Sequence, residues 1–346
     1  MLNRKDLELS VAASKIVKDL AKLKKDESIL ITIDSAGEFI LAEEVSKAAE
    51  AIGAKVHLAY HSTPPGYGKL GEHRLPDSLM SAIPNTDVWI ELNNQWLLYN
   101  SAFEKAMKND VRYLFLGGMN VDQIVRCVGK VDLAAQHAFQ TKIVEMTKKA
   151  KHMRITTAAG NDVSFAMNPK RPINSELFAD TPGPHFLLGQ ISWAPIEETI
   201  NGKIVFDGSF SGGGKADLGI LEEPITLTIN NGVITNIDGG KEAKILEKWL
   251  KELDDPRMYN MVHVCYGFNP GAVLSGLCTE DERVWGCTEW GFGYQGPMFD
   301  GALGDAISHA DGICLNSTVY LDGEIIIDEG EVVHEELAEL AKKCKQ

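Results

Sequence analysis

The chain is poor in positive charge. Its 346 residues include 34 lysines and arginines against 49 aspartates and glutamates, which gives a formal net charge of −15. A surface of that sign repels a phosphate backbone, so nucleic acid is not expected as a partner. The sequence also lacks an apolar run long enough to span a bilayer, and its first ten residues lack the apolar core of a signal peptide. We therefore expect a cytoplasmic protein with no membrane partner.

Paired cysteines are absent as well. The six cysteines are scattered, and no two of them form a Cys-x-x-Cys motif. In a reducing compartment such cysteines are mostly small buried apolar residues. Cys265, Cys278 and Cys287 lie near His263 in sequence, which leaves a zinc cluster as an alternative, although no zinc-ribbon spacing supports it.

Nucleotide-binding motifs are missing too. The first predicted strand ends at Asp34 and is followed by Ser-Ala-Gly-Glu-Phe, with no Gly-x-Gly-x-x-Gly. The glycine-rich stretch from Ser209 to Lys215 lacks the Walker spacing and is typical of a flexible turn. These absences argue against a dinucleotide or nucleotide site.

The composition is that of an ordinary globular protein, with 44% hydrophobic and 24% charged residues. The length exceeds what one core usually holds, so two domains are predicted. In residues 1–150, β-rich runs alternate with helical patterns, and this alternation favours a doubly wound parallel sheet of the α/β class.

Residues 151–346 show a different pattern, dominated by strands and turns, and predict a β-rich α+β domain. Hairpins are predicted at Gly160-Asn161 and at Asn231-Gly232, and one continuous strand from Phe186 to Trp193. Helices are predicted at 241–253 and at the C-terminus. The predicted boundary between the two domains therefore lies near residue 150.

A metal-site pattern stands in the second half, at Ser308-His309-Ala310-Asp311-Gly312. Residues two apart in a strand point to the same face, so His309 and Asp311 can reach one ion. His263, in another β-type run, is the best third ligand. Two imidazoles and one carboxylate with open positions are the non-heme iron(II) arrangement, so Fe(2+) is the predicted cofactor, with zinc, manganese and cobalt as alternatives. The other interpretation is a strand histidine hydrogen-bonded to its neighbouring aspartate without a metal.

Several short motifs in order give the chain a family resemblance: Gly189-Gln190, Asn201-Gly202, His263, Trp290-Gly291-Phe292-Gly293 and His309-Ala310-Asp311. With these residues the chain resembles the 2,5-dihydroxypyridine 5,6-dioxygenases, iron enzymes of nicotinate degradation. That family shares its fold with the aminopeptidase T-type metallopeptidases. The resemblance covers most of the second half and is diffuse in the first.

Two positions separate the two families. The aminopeptidases carry a metal-binding Glu where Gln190 stands, and a metal-binding His that here is replaced by Glu289. No carboxylate occurs around residues 269–272 to serve as their second metal-binding Glu. The resemblance therefore implies a mononuclear set of His263, His309 and Asp311 rather than a two-metal hydrolytic site.

The resemblance also implies a reaction. A small hydroxylated nitrogen heterocycle and dioxygen would react at iron(II), and His185 would be the general base that takes a ring-hydroxyl proton. Tyr99, next to Leu98, stands where the family has a second active-site histidine, and Phe292 and Tyr294 are candidates to stack on a flat ring. The alternative for His185 is a surface histidine in a proline-rich turn. The alternative for Phe292 and Tyr294 is ordinary aromatic packing. A homo-oligomer is also implied.

Two other functions stay open from the sequence. One is a metallo-aminopeptidase that uses Glu289 together with Glu280 or Asp281. The other is a non-catalytic binding protein that kept the fold.

Overall fold

The computed structural model describes residues 5–175 and 177–346, without the side chain of Asp6, and the chain forms two compact units. The N-terminal unit extends to Val131 and includes a later segment that ends at Leu188. The C-terminal unit consists of Asp132–Ser175 and Gly189–Gln346.

The strands are numbered along the chain. They are β1 (Ser28–Asp34), β2 (Lys55–His61), β3 (Val88–Glu91), β4 (Arg112–Phe115), β5 (His152–Thr156), β6 (Asp162–Ala166), β7 (Gly183–Phe186), β8 (Gln190–Trp193), β9 (Asn201–Phe206), β10 (Ser209–Ser211), β11 (Asp217–Ile220), β12 (Ile225–Asn230), β13 (Val233–Gly239), β14 (Met261–Gly267), β15 (Thr288–Gly293), β16 (His309–Cys314), β17 (Thr318–Leu321), β18 (Glu324–Asp328) and β19 (Glu331–Val332).

The α-helices are numbered in the same way. They are α1 (Asp6–Lys15), α2 (Phe39–Ile52), α3 (Gly68–Glu72), α4 (Asp77–Ala82), α5 (Ser101–Lys108), α6 (Val121–Ile124), α7 (Leu133–Lys149), α8 (Lys241–Leu253), α9 (Cys278–Asp281) and α10 (Glu335–Cys344). None of the helices in the described part of the chain has both the length and the apolar character needed to cross a bilayer.

The N-terminal unit is built on a parallel sheet of five strands in the order β2-β1-β3-β4-β7. Its central strands are buried along most of their length, as expected when both faces of a parallel sheet are covered. The predicted parallel-sheet half is therefore confirmed.

The C-terminal unit contains two antiparallel sheets. Six strands follow the order β11-β10-β16-β15-β14-β8, and eight follow the order β13-β12-β9-β6-β5-β17-β18-β19. The Phe165 ring on β6 packs edge-on against Trp290 on β15, with ring centroids 5.6 Å apart, so one face of the six-stranded sheet lies against the eight-stranded sheet. The β-rich second half and both predicted hairpins are confirmed.

The division into units differs from the predicted boundary near residue 150 at two places. Helix α7 belongs to the C-terminal unit, because Gln136 donates a hydrogen bond to the Phe268 carbonyl and the Phe139 ring packs on Phe268. Strand β7 belongs to the N-terminal unit, because it pairs in parallel with β4. Sequence periodicity cannot reveal such an exchange of segments.

The single strand predicted from Phe186 to Trp193 is wrong. The chain leaves β7 at Phe186 and begins β8 at Gln190, and the two strands belong to different sheets. Gly189 makes the break: its φ is +97°, and a Cβ there would lie 2.6 Å from the Asn269 backbone nitrogen. Only glycine tolerates that conformation in so little space.

Candidate metal centre

One face of the six-stranded sheet collects the polar residues of the candidate site. Antiparallel pairing places Gly291 opposite both His263 and Asp311, and places Gly293 opposite His309. Paired residues share a face, and residues two apart along a strand do as well. His263, His309 and Asp311 therefore lie together on one face, as the sequence predicted for His309 and Asp311.

The three side chains meet closely. Each offers a ligand atom, and these atoms lie within 4.8 Å of one another. Asp311 Oδ1 is 2.9 Å from His309 Nε2 and 3.7 Å from His263 Nε2. The two imidazole rings are nearly parallel, with centroids 5.1 Å apart, and all three residues are buried.

The hydrogen bonding of His309 fixes which of its nitrogens faces the site. Nδ1 lies 2.8 Å from the Tyr294 carbonyl oxygen, which can only accept, so Nδ1 carries the proton. Nε2 lies 2.9 Å from the Asp311 carboxylate, so these two atoms share either a proton or a metal ion. A cation between them satisfies both, and a backbone carbonyl on the outer nitrogen is the usual support of a metal-bound histidine.

A glycine makes room for the second imidazole. A Cβ on Gly291 would lie 2.1 Å from His263 Cε1, so no other residue fits beside that ring. The Phe299 ring also stacks on this imidazole, with centroids 4.8 Å apart. Both contacts restrict the position of His263.

Burial and neighbouring charge set the protonation of the group. Burial, assisted by His309, lowers the pKa of His263 to about 4, so this imidazole is neutral at physiological pH. For His309, burial opposes the charged form, but the Asp311 carboxylate outweighs it and raises the pKa. Burial raises the pKa of Asp311 against the opposing effect of His309. A neutral imidazole is the form that binds a metal.

A second buried group adjoins the first. Cys265, Glu282 and Glu289 also offer ligand atoms that lie within 4.8 Å of one another. Cys265 pairs with Glu289 across β14 and β15, and so shares the face of the first group. Glu289 links the two groups, because its Oε2 lies 3.1 Å from His263 Nε2, while its Oε1 has no hydrogen-bond partner among the described residues.

Gln190 and Arg283 complete this second group. The Gln190 amide nitrogen donates a short hydrogen bond to Glu282, and its amide oxygen accepts one of 2.8 Å from Arg283. The Arg283 guanidinium is itself 2.7 Å from the Glu282 carboxylate and is completely buried. Gln190 thus contacts both members of a buried ion pair with a neutral amide.

The carboxylates of this group are held away from full ionisation. Burial, with the nearby Glu282 carboxylate, raises the pKa of Glu289 to about 7. Burial also raises the pKa of Glu282, although the Arg283 guanidinium opposes that effect. These buried carboxyl groups therefore favour either bound protons or a nearby cation.

The carboxylate beside Glu289 is Glu282, and not Glu280 or Asp281 as the aminopeptidase alternative predicted. Glu280 instead accepts a hydrogen bond from the Val273 amide, and Asp281 accepts hydrogen bonds from the amides of Ser275 and Gly276. These two side chains stabilise the loop before α9. Glu282, one residue further on, reaches the site because the helical turn ends there.

Of the two aromatic candidates on β15 and just after it, one lies away from the metal face. Phe292 alternates with Gly291 and Gly293, so it lies on the opposite face of the sheet, where its ring packs against Phe210 with centroids 5.9 Å apart. It is therefore not placed to stack on a substrate at the metal face. Tyr294 acts at least through its carbonyl, which holds His309.

The three candidates from the first half of the resemblance all belong to the N-terminal unit. His185 lies in β7, is buried rather than in an exposed turn, and its Nε2 is 2.8 Å from the Thr181 carbonyl. Leu98 and Tyr99 are also buried, and the Tyr99 ring packs edge-on against Phe103. The φ of Tyr99 is +69°, a conformation that bulky side chains rarely adopt.

A buried carboxylate supports the loop that carries Leu98 and Tyr99. Glu91, at the end of β3, accepts hydrogen bonds from the Asn93 amide, the Leu97 backbone N–H and the Tyr113 hydroxyl. Burial raises its pKa to about 7. Sequence reasoning missed this residue, because a glutamate at the end of a strand gives no sign of being buried.

The structure does not bring the three cysteines of the zinc alternative together as a ligand group. In the described part of the chain, the groups with ligand spacing include Cys265 but neither Cys278 nor Cys287. All three thiols are buried, and burial raises the pKa of each.

Comparison with known proteins gives a consistent family. A family model described as 2,5-dihydroxypyridine 5,6-dioxygenase matches residues 11–334. The 2,5-dihydroxypyridine 5,6-dioxygenase of Pseudomonas putida is 27% identical over 202 residues, which are 54% of this chain. The match spans 56% of that curated relative, a little over half of its length.

Two solved structures share the fold. The 2,5-dihydroxypyridine dioxygenase of Pseudomonas putida KT2440 superposes with a TM-score of 0.77 at 20% identity, over 95% of this chain and 98% of that one. AmpT of Thermus thermophilus superposes with a TM-score of 0.67 at 14% identity, over 95% of this chain and all of that one. The predicted sharing of a fold with the aminopeptidase T type is confirmed.

Proposed function

Because this chain belongs to the 2,5-dihydroxypyridine 5,6-dioxygenase family, we propose that it is an iron(II) enzyme that cleaves the ring of a dihydroxypyridine-like aromatic with dioxygen. His263, His309 and Asp311 would hold the metal. The observation that supports this most directly is the convergence of three buried ligand atoms, with His309 Nε2 2.9 Å from Asp311 Oδ1 beside a second imidazole.

The residues present fit iron(II) on chemical grounds. Two imidazoles and one carboxylate are the ligand set of non-heme iron oxygenases, and the Tyr294 carbonyl orients one imidazole. When bound, iron(II) would supply Lewis acidity and adjacent positions for the substrate hydroxyl and dioxygen. The burial of the three side chains excludes water from the ligand atoms.

The remaining roles belong to residues of the N-terminal unit. His185 would accept the ring-hydroxyl proton, and neutral imidazole is suited to that task near neutral pH. Leu98 and Tyr99 would contact the substrate, and Tyr99 would donate a hydrogen bond where a histidine could shuttle a proton. Because Tyr99 stands where the resembled family has a histidine, the exact heterocycle that this chain accepts has to be tested.

The test is metal and oxygen measurement on protein purified without oxygen. We expect about one iron per chain, and oxygen consumption that depends on 2,5-dihydroxypyridine or a related dihydroxypyridine. Ring opening is followed by the loss of the substrate's ultraviolet absorption. Protein that takes up no iron and consumes no oxygen with any dihydroxypyridine contradicts the proposal.

The second group favours one alternative strongly enough to be tested beside it. Cys265, Glu282 and Glu289 have ligand spacing, so a two-metal aminopeptidase is the second candidate. Peptide hydrolysis with zinc, cobalt or manganese, together with two metals per chain, would support it. A folded chain whose pocket is intact but takes up no metal at saturating iron would instead favour a non-catalytic binding protein.

A further inference from the structure

The second group raises the question of how many cations the centre takes. Three ligand atoms from Cys265, Glu282 and Glu289 lie close enough to hold an ion, and Glu289 already contacts His263 of the first group. We infer that the buried guanidinium of Arg283 supplies the positive charge that a second metal ion would bring, and so limits the centre to one metal. This inference rests on the proposed metal at His263, His309 and Asp311.

The contacts of Arg283 fit this role. Its Nη1 lies 2.7 Å from Glu282 Oε1 and donates to the Thr279 carbonyl at 2.7 Å, while Nη2 donates to the Gln190 oxygen at 2.8 Å. The side chain has no exposed surface. A guanidinium stays charged in proteins even when buried, so it is a permanent cation at this place.

Charge balance explains why a second ion is then disfavoured. Glu282 is one of the three ligands of the second group, and its carboxylate is already paired with Arg283. A metal at that group would have to share the carboxylate with a guanidinium in a low-dielectric space, where two cations repel strongly. Gln190 adds no charge, because its side chain is a neutral amide.

Removal of the arginine charge should reverse the preference. In Arg283→Gln the Glu282 carboxylate loses its counter-charge, and a buried carboxylate without a partner binds a cation or a proton. Cys265 would then become a metal ligand as a thiolate. The first group contains no sulfur, so a metal–thiolate bond marks the second site alone.

The experiment is cobalt(II) titration of the full chain without oxygen, followed by metal analysis and absorption spectroscopy. The wild type is expected to bind about one cobalt per chain and to show no cobalt–thiolate charge-transfer band in the near ultraviolet. Arg283→Gln is expected to bind about two and to gain that band. Arg283→Gln with Cys265→Ser is the control that should lose the band.

A second variant keeps the test decisive if loss of a buried charge prevents folding. Gln190→Glu retains Arg283 but adds a carboxylate beside Glu282, so the group gains one negative charge that Arg283 does not balance. It too should gain a second cobalt and the thiolate band. The inference is overturned if the wild type already shows two cobalt ions and the band, or if no folded variant gains them.

These readouts do not depend on ring cleavage. A chain that binds one cobalt and responds to Arg283→Gln as expected, but consumes no oxygen, would refute the proposed substrate and leave the charge role of Arg283 standing. A chain that cleaves the ring and binds one metal in every variant would refute only the role of Arg283.

Discussion

Glu91 in the N-terminal unit and Glu289 in the C-terminal unit are both fully buried, and burial raises the pKa of each to about 7. Their surroundings differ. Glu91 accepts hydrogen bonds on both oxygens from neutral donors, whereas Oε1 of Glu289 has no partner in the described structure and Oε2 faces an imidazole. A buried polar group whose bonds are complete supports the fold, and one left incomplete indicates a missing partner.

The two networks also differ in charge. Around Glu91 the partners are an amide, a backbone N–H and a phenol. Around Glu289 are two imidazoles, a thiol and the Glu282–Arg283 ion pair. Neutral donors can stabilise a single carboxylate, but several carboxylates in one buried space need a cation. We therefore expect metal binding to respond to substitutions around Glu289 and not to substitutions around Glu91.

The largest expected effect is that of His309→Ala on metal binding. The substitution removes one of three ligands, so we expect iron affinity to fall on the order of a thousand-fold, beyond the ~10–100-fold cost of losing an outer partner. Calorimetric titration with iron(II) without oxygen measures it.

The matched control is His137→Ala, since His137 is exposed on α7 of the same unit. The control should bind metal as the wild type does. Equal metal content in the two variants would mean that the His309–Asp311 pair is only a hydrogen bond between strand neighbours.

The next effect concerns the Glu91 network and the stability of the fold. Its pKa is raised from 4.5 to about 7, so between these pH values the native state binds more protons than the unfolded state. Stability then falls as pH rises through that window and is level above it. Across this window the free energy of unfolding of the wild type should fall by about 3 kcal/mol. Glu91→Gln cannot titrate at this position, so its free energy of unfolding should not show that fall.

Urea unfolding at pH 5 and pH 8 measures this difference. Glu50→Gln, at an exposed position of α2, is the control and should keep the wild-type pH dependence. If Glu91→Gln and the wild type change in parallel, Glu91 is not the titrating group. Iron content should be unaffected in either variant, and a loss of iron would break the contrast between the two networks.

The smallest of these effects is expected for Glu289→Gln. The amide keeps the size of the side chain but removes a negative charge 3.1 Å from His263 Nε2. Iron affinity should fall by roughly 10–100-fold, as for the loss of a side chain that supports a metal ligand. The same calorimetric titration applies, with the exposed Glu324→Gln as control. An affinity equal to that of the wild type would place Glu289 with Glu91, as a structural carboxylate.

Much of the fold could be predicted from the sequence, because each strand and hairpin has a local pattern. The parallel sheet follows from β-rich runs alternating with helices, and the hairpin at Asn231-Gly232 follows from its turn residues. The interrupted strand at Gly189 could not be predicted, since residues typical of strands lie on both sides of it and the lack of space for a Cβ comes from Asn269, which is distant in sequence.

The candidate site was predictable only where chemistry and spacing coincide. His309 and Asp311 are two residues apart in one strand, so a local rule brings them together. Glu282 is different: three neighbouring acidic residues are equivalent in sequence, and only the end of α9 decides which one faces the site. Arg283 was missed for the same reason. The metal itself and the roles of His185 and Tyr99 stay predictions.

Gly291 has no functional group, yet the imidazole of His263 occupies the space that its side chain would need. A screen that ranks positions by the reactivity of their side chains would overlook residue 291. Even a methyl group there would push the ring off its strand partner and disable the centre while leaving all its donor atoms in the chain. An inactive relative could therefore retain every ligand and differ at this one silent position.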